Sequence, residues 1–227
     1  MIHLTPRLFS VAEYVKKGSI VADIGTDHAY LPVYLIENGI ISSAFACDIN
    51  EGPLNNAKTT VKEAGISGVH FVLSNGLQGL ENQKNDFDTI VMAGMGGELI
   101  THIISAAPWC RVQDYTFILQ PMTRANILRE YLYAHGFEIL HESIAKEKDK
   151  LYNIMKVHYC AKTDKLSGAQ ALLGKTTDSA YFELLRTREI IRLQKMYDSL
   201  KQANHTKRQQ QEIKRLIKEI EGYTCLL

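Results

Sequence analysis

Five short apolar runs, 19–24, 41–49, 69–73, 87–92 and 115–119, are each closed by a turn signal, and stretches of helical spacing lie between them. A run of four to eight apolar residues ended by glycine or a small polar residue is the pattern of a buried strand. Strands that alternate with helices build a parallel sheet covered on both faces, an α/β fold. Helices are predicted over 5–17, 31–38, 52–64, 98–106 and 124–135, with Thr5 as N-cap and Pro6 at the first helical position of the earliest one. Two later runs, 137–144 and 152–159, flank the charged turn Lys146-Glu147-Lys148-Asp149-Lys150 and predict an antiparallel hairpin at the sheet edge.

The texture changes after Lys162, which divides the chain into 1–162 and 163–227. Residues 163–177 read as a linker with one short element. Asp178 is placed to cap a helix to about 203, in which Ile190, Leu193, Met196 or Tyr197, and Leu200 recur at three- and four-residue steps. Asn204-His205-Thr206 breaks it, and 207–221 carries Ile213, Leu216, Ile217 and Ile220 on one face. Each apolar seam is short for a two-chain coiled coil. A coiled-coil-like hairpin folded on itself fits, so a monomer is expected, with self-association through these helices as the alternative.

Several function classes are excluded early. The formal net charge of +1 leaves no chain-wide basic field for nucleic acid, so any RNA grip must be local. Cys47, Cys110, Cys160 and Cys225 are far apart with no C-x-x-C, which argues against a zinc site or disulfide frame; no metal is expected. No apolar run approaches the ~18 residues of a membrane span, so a cytoplasmic protein with no membrane role is expected.

The strand ends carry the chemistry, because ligands of open parallel sheets bind beyond the carboxyl ends of the strands. Val21-Ala22-Asp23-Ile24 breaks at Gly25 and continues Thr26-Asp27-His28-Ala29-Tyr30-Leu31-Pro32. A dinucleotide site needs G-x-G-x-x-G to bring backbone against a pyrophosphate. Here Asp27 and Ala29 fill the later glycine positions, and a carboxylate repels a pyrophosphate. S-adenosylmethionine has no phosphate and carries an ammonium and a cationic sulfur, so the acidic turn suits it and disfavours NAD. The second strand ends at Asp48, placed to accept ribose hydroxyls. The third ends in Ser74-Asn75-Gly76, where the Asn carbonyl can take an adenine amino group. The fourth leads into Ala93-Gly94-Met95-Gly96-Gly97, a glycine run that weakens packing and makes sense where a flat ligand meets backbone.

Taken in order, Asp23 to Pro32, Asp48-Ile49-Asn50 with Gly52-Pro53, Asn75-Gly76-Leu77, Ala93 to Gly97 and Leu119-Gln120-Pro121 resemble the bacterial tRNA (adenine-22-N1)-methyltransferases, the TrmK family. The resemblance covers the first unit and, in pattern only, the C-terminal helices. One departure is Asn75-Gly76 where the family has Asp-Gly. The resemblance implies a Rossmann-like class I methyltransferase with a seven-stranded, mostly parallel sheet and a reversed last strand. It implies S-adenosylmethionine as cofactor and tRNA as partner, methylated at N1 of adenine 22 in the D arm. N1 lies on the pairing edge, so the base must be flipped out. Cofactor contacts are expected from Asp23, Gly25, Thr26, Asp27, His28, Asp48, Ile49, Asn75, Gly76, Ala93 and Gly94. The reacting side is expected at Asp27, His28, Tyr30, Met95 and Gly96, with Tyr30 stacking on the base. Phosphate contacts are expected from Arg7 and from the basic helices, through Arg186, Arg188, Arg192, Lys195, Lys207, Arg208, Lys214 and Arg215. The competing readings are a methyltransferase acting on a small molecule or protein, and a non-catalytic RNA-binding module on the same fold.

Overall fold

The strands join into one sheet in the order β3-β2-β1-β4-β5-β7-β6, in a computed structural model that describes residues 2–111, 115–175, 179–202 and 207–224. The strands are β1 Ile20–Ile24, β2 Ser43–Asp48, β3 Val69–Leu73, β4 Thr89–Gly96, β5 Thr116–Thr123, β6 Phe137–Glu147 and β7 Lys150–Tyr159. The helices are α1 Pro6–Ala12, α2 Tyr30–Glu37, α3 Glu51–Ala64, α4 Gly97–Ser105, α5 Ala125–Ala134, α6 Gly168–Leu173, α7 Ser179–Gln202 and α8 Lys207–Glu221. β1 to β5 pair in parallel. β7 pairs antiparallel with both β5 and β6, so the hairpin lies at the sheet edge with its reversed strand just inside.

Alternate residues of each central strand enter opposite cores, as the pleat requires. Ala22 and Ile24 of β1, Ile90 and Met92 of β4, and Phe117 and Leu119 of β5 join Ile100 and Ile104 of α4 and Leu128 and Leu132 of α5. Val21, Val91 and Ile118 face the other way, onto Val11 of α1 and Leu31 and Leu35 of α2. α3 closes that second face through Ala57 and Val61 against Ala46 and Val33. The sheet is therefore covered on both sides, and strand order reverses at β1, between β2 and β4. The mouth of that switch point is where an open α/β sheet binds ligands.

Four expectations need correction. α1 ends at Ala12, not near Lys17. Tyr14 and Val15 donate to the carbonyls of Val11 and Ala12, a tighter turn that still buries Val15. β4 does not stop at Met92 and β5 does not stop at Leu119. The two stay paired as far as Gly96 and Thr123, because register shifts after Ala93 and Met95 absorb the extra residues around Pro121, which has no N–H and pairs with Met95. The hairpin turn shrinks to Lys148 and Asp149, with Lys148 in the left-handed region at φ 54°. Residues 163–175 hold the expected short element, α6, but it is packed rather than a free linker. Ser167 and Gln170 form a capping box on α6, and Ala169 and Leu173 are buried. They join Phe182, Leu185, Leu193 and Ile220 of α7 and α8 and Ile144 of β6 in one apolar cluster. The predicted cap Asp178 and break Asn204-His205-Thr206 lie outside the described residues.

Candidate active site

Two backbone bonds set the turn after β1. The amides of Gly25 and Thr26 both donate to Cys47 O on β2, at 2.7 and 2.9 Å. Gly25 has φ 77°, a left-handed conformation that favours glycine, and the end of the Met95 side chain occupies the space a Cβ would take. The chain leaves the turn through Ala29, also left-handed at φ 54°, which is the N-cap of α2 and caps no amide. The loop 26–28 is thereby pushed out over the strand ends. There the ring of His28 stacks on Tyr30, centroids 5.0 Å apart and 8° from parallel. His28 Nε2 lies 3.4 Å from Asp27 Oδ2.

These residues form one wall of a cleft of about 360 Å³. Asp23, Gly25, Thr26, Asp27, His28, Ala29, Tyr30 and Leu31 line it from the turn, Thr5, Arg7 and Leu8 from the start of α1, and Ala93 and Gly94 from β4. Asp23 is buried, and burial lifts its carboxyl from 3.8 to about 6, the neighbouring Thr26 side chain acting the other way. Thr26 Oγ1 is itself buried with no hydrogen-bond partner among the described residues. A buried acid and an orphaned hydroxyl at the floor of one cleft are polar groups that a ligand can satisfy.

The opposite wall is fixed by a residue absent from the expected set. Gln120 is fully buried at the end of β5. Its Oε1 accepts from Arg7 Nη1 at 2.5 Å and from the Gly94 amide at 3.0 Å, while its Nε2 donates to Pro121 O at 3.0 Å. One side chain thus ties α1 to the glycine run. Arg7, expected on a phosphate, is held half-buried in the cleft, with its guanidinium 5.7 Å from the Tyr152 ring centre. Gln120 carries a sequence signal, an amide ending the apolar run Tyr115 to Leu119. Its partners lie 113 and 26 residues away in sequence, so its role is invisible without the fold.

The remaining strand ends line up beside the cleft. Ser74 N donates to Asp48 O at 2.8 Å, which continues the row Thr26–Cys47 onto β3. Asp48 Oδ1 accepts the Asn50 amide at 2.8 Å, Ile49 is 59% exposed and Asn75 is exposed. Ser74, named in the Ser74-Asn75-Gly76 turn but given no role there, fastens it. Its hydroxyl donates to Gly76 O at 2.7 Å and accepts from Gly79 N at 2.9 Å. Gly76 has φ 58°, and a Cβ there would press on Ile103 at 2.8 Å. Met95 and Gly96 do not join the cleft lining. Met95 packs behind Gly25 against the core, and Gly96 is the N-cap of α4.

The basic residues of the C-terminal helices divide into two groups. Arg186 pairs with Glu183 at 2.6 Å and donates to Tyr223 O, and Arg188 donates to Asp149 O at 2.7 Å, which ties α7 to the β6–β7 turn. Arg192 pairs with Glu189 at 2.7 Å, and Lys214 lies over the Tyr197 ring. Lys195, Lys207, Arg208 and Arg215 are exposed. Among the described residues no helix is long and apolar enough to cross a membrane. Glu138, His158 and Cys160 are the one group there with metal-ligand spacing, on the hairpin away from the cleft.

Likeness to known proteins runs the length of the chain. A family described as a methyltransferase domain matches residues 4–155. The tRNA (adenine(22)-N(1))-methyltransferase of Bacillus subtilis is 34% identical over 97% of this chain and 95% of its own. The crystal structure of the B. subtilis m1A22 tRNA methyltransferase TrmK superposes with a TM-score of 0.82 at 33% identity, covering 97% of both chains. That of Mycoplasma capricolum TrmK in complex with S-adenosylhomocysteine superposes with a TM-score of 0.80 at 30% identity, again over 97% of both. This chain belongs to the TrmK family of methyltransferases.

Proposed function

We propose that this protein transfers a methyl group from S-adenosylmethionine to N1 of adenine 22 in tRNA. The observation that carries the reading is the end-to-end likeness to the B. subtilis tRNA (adenine(22)-N(1))-methyltransferase, which includes both the cleft and the C-terminal helices. The residues present fit the cofactor. Asp23 is a buried acid with no counter-ion among the described residues, Thr26 Oγ1 is an orphaned buried hydroxyl, and Asp27 adds a second carboxylate at the rim. An ammonium at this floor would meet the acid whose charge burial now disfavours. The second carboxylate oxygen of Asp48 would take ribose hydroxyls, exposed Ile49 would lie against the adenine ring, and Asn75 and Gly76 would hold its amino edge.

When bound, S-adenosylmethionine supplies a methyl group on a cationic sulfur, which the N1 lone pair takes as the carbon–sulfur bond breaks. N1 is unprotonated at neutral pH, so the enzyme needs no strong base and works by alignment. Tyr30 is 44% exposed and already stacked on His28, so together they offer a flat platform at the cleft mouth for a flipped base. The Gly94 backbone, with φ 86° and its amide fixed by Gln120, carries no side chain of its own and meets the cleft beside the Arg7 guanidinium. The methylated ring carries a positive charge, which Asp27 beside His28 would stabilise.

In this reading 1–162 is the catalytic unit and 163–227 grips the tRNA. The enzyme works as a monomer in the cytoplasm and uses no metal. The monomer is supported by Ile190 and Leu193 of α7 and Ile213, Leu216, Ile217 and Ile220 of α8, which pack with α6 and β6 within one chain. The test is methylation of an unmodified tRNA transcript and of one with guanine at position 22, using labelled cofactor. Label on the first alone is expected; equal label on both sinks the assignment of the site.

A further inference from the structure

A second groove, of about 590 Å³, opens where the C-terminal helices meet the catalytic unit. One wall is the end of β5 and the start of α5, from Pro121 to Asn126; the other is α7, through Leu185, Glu189, Arg192 and Met196; Leu151 and Asn153 of β7 form the floor. It shares a wall with the cofactor cleft. Ala93 and Gly94 face the cleft, and their strand continues as Met95 and Gly96, which pair with Pro121 and Thr123 at the groove. The width of two paired strand ends separates the two sites.

We propose that this groove binds one nucleotide of a single-stranded tRNA segment next to the target adenine. The inference rests on the tRNA reading above and adds a site to it. Three observations carry it. Arg124 stands in the left-handed region, φ 57° and ψ 36°, as the N-cap of α5, with no side-chain cap on the amides that follow. That conformation is unfavourable for a branched Cα, and the side chain it holds is exposed, with no ion pair among the described residues. Second, Asn153 Oδ1 is buried without a hydrogen-bond partner among the described residues. It suits a donor from a ribose hydroxyl or a base amine. Third, Met122 and Met196 are 38% and 44% exposed and, with Leu151 and Leu185, give an apolar face on which a base can lie.

Charge orients the occupant. Glu189 holds the guanidinium of Arg192 at 2.7 Å and repels an anion beside it. The phosphate therefore belongs at the Arg124 end, at the start of α5 where no side chain caps the helix, with the base toward the methionines. A groove with the Arg124 guanidinium at one end, an unpaired acceptor on its floor and apolar walls matches a nucleotide better than an apolar peptide.

Arg124→Gly tests this, because glycine tolerates the left-handed backbone and removes only the guanidinium. In the full chain, binding of an adenine-22 tRNA transcript is followed by fluorescence anisotropy across a salt series, and S-adenosylmethionine binding by calorimetry. With one phosphate left unneutralised, the tRNA Kd should rise about tenfold and the salt slope should fall by about one. Cofactor affinity should not change, and the melting temperature should hold or rise. Asn153→Leu, on the groove floor, removes the unpaired acceptor and no charge; it should raise the tRNA Kd with the salt slope unchanged and decides the matter if R124G does not fold. Wild-type protein that labels adenine 22, alongside variants that match it in affinity and slope, overturns the groove and leaves the cleft reading intact. Wild-type protein that binds the cofactor but never labels tRNA overturns both.

Discussion

Asp23 sits where its own charge is unfavourable, and that makes it informative. Its carboxyl titrates near 6 in the fold against 3.8 as the ordinary value, so the folded chain holds the proton more tightly than the unfolded chain. The sign follows from linkage. This group favours folding at low pH, and the contribution is lost as pH rises from about 4 to 6. At about 1.4 kcal/mol per unit, Asp23→Asn should stabilise the ligand-free protein at pH 7.5 by on the order of 2 kcal/mol, seen as a melting temperature several degrees higher. The same variant should bind S-adenosylmethionine at least ~30-fold more weakly, since it removes the acid facing the ammonium. A drop in melting temperature would show that the carboxylate serves the fold instead. Wild-type cofactor affinity should also weaken as pH falls below 6, and the Asn variant should lose that dependence. Asp23, Gly25 and Asp27 are legible in the sequence because their meaning is local: a strand, a sharp turn, and acids where a dinucleotide site has glycines. Gln120, Ser74 and the buried half of Arg7 are not, because each acts through a partner on another element.

The elements that differ from expectation do so where they touch other elements. A glycine run and a proline read as stops, yet β4 and β5 run through both, because each supplies the other with a pairing edge up to Gly96 and Thr123. The stretch after Lys162 reads as a linker because its composition is polar; its few apolar residues are all used. Its anchor is a buried ion pair. Arg129 of α5 donates from Nε and Nη2 to Glu142 Oε1 of β6, at 2.9 and 2.5 Å, and from Nη1 to Ala171 O of α6 at 2.7 Å. Glu142 Oε2 accepts the Lys175 amide at 3.0 Å, and both side chains are 1% exposed. Such a pair adds little net stability over an apolar substitute, but losing one partner strands the other charge. Arg129→Met should therefore cost about 3–5 kcal/mol in chemical denaturation. Arg129→Met with Glu142→Leu should recover most of it, and a double variant no better than the single would show that the carbonyl contacts to α6 matter more than the charge.

For the whole molecule, one shared core has consequences for how tRNA binding is tested. Removing the C-terminal helices would expose Ile144, Ala169 and Leu173, so loss of binding in such a deletion would report a damaged fold. Neutralising charges in place is the cleaner experiment, and the structure says which charges. Arg186 and Arg188 are occupied by Glu183, Tyr223 O and Asp149 O, whereas Lys195, Lys207, Arg208 and Arg215 point to solvent. With a net charge of only +1, binding to a polyanion depends on such local sets, and phosphate contacts appear as the slope of affinity against salt. Arg215 also lies beside Glu219, whose carboxylate accepts the Ala169 amide of α6, so replacing the other three with Gln should leave melting temperature and cofactor affinity unchanged. It should weaken tRNA binding and lower the salt slope by about one for each phosphate no longer neutralised. The position of methylation should stay at adenine 22, because phosphate contacts hold the substrate without reading its bases. If the variant binds tRNA with the wild-type slope, the grip lies instead on the cleft side, at the groove floored by Asn153 and the rim of the β1 turn.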